Sequence, residues 1–197
     1  MKNAKIKRMV GIALLMAMVI VLQFVGSMIP PIGGTVSISL VLIPIIVGAA
    51  IYGPDAGAVL GATFAVVTLI NCITGADPGG AMVFQANPVL CVLVVGGKSV
   101  LCGLASGWVY RLISKKNTYI AMLCAAIICP VVNTGVFLLG CKLFFLETVA
   151  EWGVAAGFEN VGAYMFLGLA GVNFLIEIGV NLILAPVIVR LIKIGKK

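Results

Sequence analysis

Residues 40–55, LVLIPIIVGAAIYGPD, decide how this chain folds. From Leu40 to Tyr52 there is no charge, and Gly53-Pro54 then ends the helix that these residues favour. A membrane-crossing helix needs about 20 apolar residues, at ~1.5 Å each, to cover ~30 Å of hydrocarbon. Thirteen residues are too few to cross alone. The stretch before them, Pro30 to Ser39 (PPIGGTVSIS), ends in alternating apolar and hydroxyl side chains, which predicts an extended strip entering the outer half of the membrane. Backbone without helical hydrogen bonds is tolerated at that depth only where protein or a wet cavity covers it. The short segment therefore points to a binding cavity open to the outside, with a ligand-free hydrophobic loop covering the bundle as the competing reading.

The rest of the chain agrees with a membrane setting. With 62% hydrophobic and 10% charged residues in 197, the sequence lacks the polar surface of a soluble globule. Five further apolar segments accompany Leu40 to Tyr52: Met9 to Ile29, Ala56 to Ile73, Pro88 to Ile113, Tyr119 to Phe145 and Ala163 to Ile192. The expected fold is a single all-α integral membrane domain over 1–197, with six transmembrane helices and an extended first outer loop. Eleven of the thirteen basic residues fall in three clusters, at Lys2 to Arg8, Arg111 to Lys116 and Arg190 to Lys197. An even number of spans puts all three on one side, so both termini are expected in the cytoplasm and the protein in the cell membrane. A cleaved signal peptide would leave five spans and split the clusters between the two sides.

The net charge of +7 follows from this orientation signal and forms no basic stripe of the kind nucleic acid requires. Six cysteines without C-x-x-C spacing, and no histidine, leave zinc, haem and redox chemistry without their usual ligands. The cysteines read as small buried hydrophobes.

Two lysines remain outside the clusters. Lys98 stands roughly 15 Å below Pro88 at the outer face, and Lys142 only about 5 Å below Phe145. Asn133 lies roughly 18 Å down, and Asn173, Glu177 and Asn181 lie roughly 15, 21 and 27 Å below Ala163, stacked on one helix face. Lys98, Asn133, Asn173 and Glu177 thus share one layer. Such groups are costly in lipid and turn inward to find partners. One reading pairs Lys98 with Glu177 as a register-fixing ion pair, with the asparagines bridging helices. In the other, two lysines against one glutamate leave a positive surplus that suits an anionic or carboxylate-bearing ligand. Gln85, Asn87 and Asn71 add hydrogen-bonding groups at the mouth, and Trp152, Phe158, Phe144 and Phe84 supply apolar walls.

The letters GGKS at 96–99 do not complete a phosphate-binding loop, because G-x-x-x-x-G-K-[ST] places its first glycine at Val92. The surrounding segment is apolar helix.

Several stretches together carry a family resemblance: GIALLMA in the first segment, IPPIGG-x-VSIS, LIPIIVGAAIYGPDAGAVLGATFA across the second turn, and NLILAPVIVRLIK at the end. They resemble the substrate-binding S components of energy-coupling factor (ECF) vitamin importers over nearly the whole chain. The resemblance implies a non-enzymatic subunit that takes up a vitamin from outside. It also implies a partner module of one membrane coupling subunit and two ATPases, so that ATP is used by the partners and this chain holds no cofactor. Ala13 and Ala17 match the family's A-x-x-x-A, through which the first helix packs on the coupling subunit. The site is implied at the first, third and fifth outer loops and the outer parts of the last three helices. VVGGKSVLCG and CPVVNTGVFLLGC look closest to the pantothenate-type branch, while riboflavin, folate and cobalamin carriers share the general pattern.

Two other classes compete. An intramembrane enzyme would have only Ser99 with Lys98 as a dyad, and adjacent positions point about 100° apart on a helix. A non-transporting membrane scaffold would bind no small molecule.

Overall fold

A computed structural model describes residues 2–28 and 40–195, with the side chains of 2–4, 28, 172, 173 and 191–195 excepted. The expected extended strip, Pro30 to Ser39, lies outside the described residues, as does the side chain of Asn173. Every regular element among the described residues is helical: α1 Lys2–Met28, α2 Leu42–Tyr52, α3 Pro54–Thr74, α4 Pro78–Ala86, α5 Pro88–Ile113, α6 Thr118–Phe144, α7 Leu146–Ala155 and α8 Val161–Ala163. A π-helical stretch, Tyr164–Ala170, then leads into α9, Gly171–Gly195.

All six apolar segments fold as helices, yet they differ in reach. Among the described residues four helices are long and apolar enough to cross a membrane, and the pair Val161–Ala170 and Phe174–Arg190, bent by 41°, counts as a fifth if it forms one span. At the bend Gly171 has φ of 49°, a left-handed backbone that favours glycine. Helix α2, with 11 residues, extends only about 16 Å.

What α2 lacks in length it makes up in burial. It packs against α1, α3, α5, α6 and α9, so it stands near the axis of the bundle. Leu42, Ile45 and Ile46 are buried in one apolar cluster with Val19, Leu60, Phe64, Met122 and Val189. Its uniform hydrophobicity therefore serves protein contacts on several sides. The turn to α3 uses Gly53 at φ 96°, and Pro54 then occupies the first helical position, where its missing N–H leaves no bond unmade.

Helices α3 and α5 approach so closely that a Cβ on Gly57 or Gly103 would strike the other's backbone carbonyl. Small residues at such crossings let backbones pack directly in a membrane. Helix α6 then lies on α5, and α9 on α6 and α2. A second apolar cluster gathers Val83, Cys91, Val94, Val95, Phe137, Cys141, Val149, Tyr164 and Leu169 from α4 to the π-helical stretch. All six cysteines are free thiols, five of them buried.

Helices α4 and α7 were not among the expected segments. Both are short: 9 and 10 residues in the third and fifth connections.

Candidate functional site

The two apolar clusters do not merge. Between them lies a band of buried polar side chains: Thr68 and Asn71 of α3, Lys98 and Ser99 of α5, Asn133 of α6, and Glu177 and Asn181 of α9. On α5 and α6 the polar residues stand at mid-length between apolar residues of the two clusters, whereas Thr68 and Asn71 fall in the last two turns of α3. In α5, for example, Cys91, Val94 and Val95 precede the polar pair, and Cys102 and Tyr110 follow it. Lys98 is 9% exposed, Asn133 4% and Glu177 6%. So deep a placement is costly for a cation unless other groups stabilise it.

Among the described residues, an aromatic ring and a carboxylate act on the ammonium. Lys98 Nζ lies 4.9 Å from the centroid of the Phe137 ring, a cation–π arrangement that is strongest when desolvated. The charge of Lys98 also acts on Asp77, the residue before α4. Asp77 stands between α3 and α4. Burial pushes its carboxyl above the ordinary carboxylate value, while Lys98 and the nearby amides of Gly80 and Gly79 pull it down.

Several polar atoms of this region have no hydrogen-bond partner within the described protein: Thr68 Oγ1, Asn71 Nδ2, Asp77 Oδ1, Ser99 Oγ, Asn133 Oδ1 and Asn181 Nδ2. Each buried unsatisfied group costs about 1–3 kcal/mol, and a cluster of them is uncommon in a site built only for packing. Together they can hold a small molecule with an anionic group, for Lys98, and further hydroxyl or amide groups.

A family model described as ECF transporter, substrate-specific component, matches residues 7–189. The chain belongs to that family. Comparison with curated proteins returns no match. As an S component it is a multi-pass membrane subunit of a transporter, working with an ECF module to take a small-molecule substrate.

Of the residues picked from the sequence, Lys98, Asn133 and Glu177 are each buried, as is Asn181 one turn along α9. Lys142 stands apart: it is exposed and lines a mostly apolar cavity of about 440 Å³ with Gly135, Leu138, Met165 and Phe166. Asn87 is exposed and caps α5, its Oδ1 accepting from the N–H of Val89 at 3.1 Å and of Leu90 at 3.2 Å. Gln85 is exposed at the end of α4, and Trp152 of α7 is half-buried against the second apolar cluster with Phe84 and Phe158. Ala13 and Ala17 are both exposed on α1, beside the exposed Leu14 and Met18.

Thr68, Ser99 and Asp77 were not singled out as ligand-holding residues. A signal for Asp77 was present in Asp77-Pro78-Gly79-Gly80, an acceptor followed by proline at a helix start, which predicts α4 and hence a fixed position for the carboxylate.

Proposed function

We propose that this S component is the high-affinity substrate-binding subunit of an ECF-type importer in the cell membrane, and that it takes a B-group vitamin from outside. Pantothenate is the favoured substrate; riboflavin, folate and cobalamin are the alternatives. The observation that carries the reading is the burial of Lys98 within a band of unsatisfied polar atoms. A ligand carboxylate opposite Lys98, with hydroxyl or amide groups meeting Asn133, Asn71 and Asp77, would satisfy them. The pantothenate-like stretches VVGGKSVLCG and CPVVNTGVFLLGC contribute Lys98 and Asn133 themselves.

Glu177 and Asn181 line the same band from α9 in this reading, Asn173 is a further substrate-binding residue whose side chain lies outside those described, and Gln85, Asn87, Trp152 and Lys142 stand at the mouth. The clustering of basic residues supports cytoplasmic termini, with α4 and α7 on the outer side over the site. The exposed face at Ala13 and Ala17 meets the membrane coupling subunit, and two ATPases in that module hydrolyse ATP.

Reconstitution tests the reading. Vesicles containing this chain and a coupling module should accumulate labelled pantothenate only with ATP inside the module's compartment, and the purified chain alone should bind the vitamin without hydrolysing ATP. Uptake of riboflavin, folate or cobalamin instead would reassign the substrate. ATP turnover by the chain alone would contradict the proposal.

A further inference from the structure

Far from the polar band, at the end of the bundle that carries the N-terminus, lies a cavity of about 480 Å³. Arg8 of α1 and Arg111 near the end of α5 line it, together with Tyr52, Asp55, Ser114 and Thr118. Arg8 is tied in place, its Nη2 donating to the carbonyl of Tyr52 at 3.3 Å. That bond uses one of five guanidinium donors and leaves the others available. Asp55 is the only acid among the described lining residues, so two guanidinium groups face one carboxylate and the cavity stays positive. Helix α3 begins at the same place with no side-chain cap, adding the positive end of its dipole.

The surroundings identify the kind of anion. Ile51 lines the cavity and is exposed, and Met9 and Leu112, next in sequence to the two arginines, are exposed as well. Both arginines stand where long apolar helices meet their charged ends, the level of lipid headgroups. A phosphate with acyl chains attached fits this border between charge and hydrocarbon, since the chains can lie on Ile51 and Leu112. We propose that Arg8 and Arg111 form a binding site for the phosphate of an anionic phospholipid. Guanidinium forks match phosphate oxygens in pairs, which distinguishes this site from a diffuse attraction of basic residues to a charged surface. The inference is independent of the vitamin reading.

Native mass spectrometry and thermal melting of the full chain in detergent test it, with phosphatidylglycerol, phosphatidylcholine of the same acyl chains, and inorganic phosphate as probes. Phosphatidylglycerol should be retained and should raise the Tm, while phosphatidylcholine and inorganic phosphate should do neither. Arg8→Gln with Arg111→Gln should weaken phosphatidylglycerol retention by about tenfold or more, the scale of losing charge-assisted bonds. If the double variant does not fold, Arg111→Gln alone, which preserves the Arg8 to Tyr52 bond, should still show a clear loss. Equal retention of the two lipids, or wild-type retention by the folded variants, would overturn the proposal. Stabilisation by inorganic phosphate equal to that by phosphatidylglycerol would assign the site to free phosphate and overturn the lipid.

Discussion

Lys98 Nζ sits 4.9 Å from the centre of the Phe137 ring, with the ring itself packed in the second apolar cluster. The aromatic face stabilises the cation where water is scarce, by about 2 kcal/mol when desolvated. It leaves the ammonium hydrogens free to meet oxygen atoms, because a ring occupies only one side. Phe137→Leu should therefore lower stability by about 1–3 kcal/mol, the sum of a small cavity and a lost cation–π contact. A double-mutant cycle with Lys98→Met, read by thermal melting, should return a coupling of about 0.5–2 kcal/mol. Additive losses would mean that the ring only fills space.

Lys98→Met should weaken vitamin affinity by about 1.5–3 kcal/mol, the range of a hydrogen bond to a charged group. Adding Glu177→Gln or Asp77→Asn should restore stability without restoring affinity. Were Lys98 present only to neutralise a buried acid, the paired variants would recover both. Ligand titration and melting on the same samples separate these outcomes.

Asp77 makes a pH-dependent contribution whose sign follows from burial. Its carboxyl titrates above the ordinary 3.8 in the folded chain, so its effect is most favourable to folding below that value and is lost as pH rises through the folded value. At neutral pH the charged form is the costly one. Asp77→Asn keeps a side chain able to cap α4 and removes the charge, so it should melt higher than wild type at pH 7. The advantage should shrink as pH falls toward 3.8. An Asn variant less stable at pH 7 would show that the carboxylate is satisfied in the protein.

Ala13 and Ala17 are both exposed on α1, one turn apart. Ala13→Trp or Ala17→Leu should leave vitamin binding by the solitary subunit unchanged while abolishing co-purification with the coupling module and ATP-driven uptake. Retention of both would show that the partner helix docks elsewhere.

The membrane class, the helical segments and the polar band were legible because each rests on local composition or on helical spacing. Lys98, Asn133 and Glu177 could be placed at one depth by counting residues from helix ends. Direction around a helix was less accessible. Lys142 lies near the end of α6, but its helix turns it toward the cavity lined by Leu146, Val161 and Met165, because the neighbouring Cys141 takes the buried position. Helices α4 and α7 escaped because they are shorter than a span and carry the polar residues of a loop. Asp77 depended on α4: only when that helix packs against α3 and α5 is the carboxylate carried into the interior. The shortness of α2 hinted at an interrupted span, whereas its central position, touching five helices, is a tertiary fact.

The proposed role of the band around Lys98 is to hold a carboxylate-bearing vitamin. Its most direct test is mass spectrometry of the small molecules that remain bound to the wild-type chain and to Lys98→Met after purification in detergent from vitamin-fed cells. One B-group vitamin, pantothenate first among the candidates, should be near equimolar with the wild-type chain and strongly depleted from the folded variant. A vitamin retained equally by both proteins would contradict the role of Lys98, and a wild-type chain that retains none and binds none on titration would contradict the function itself.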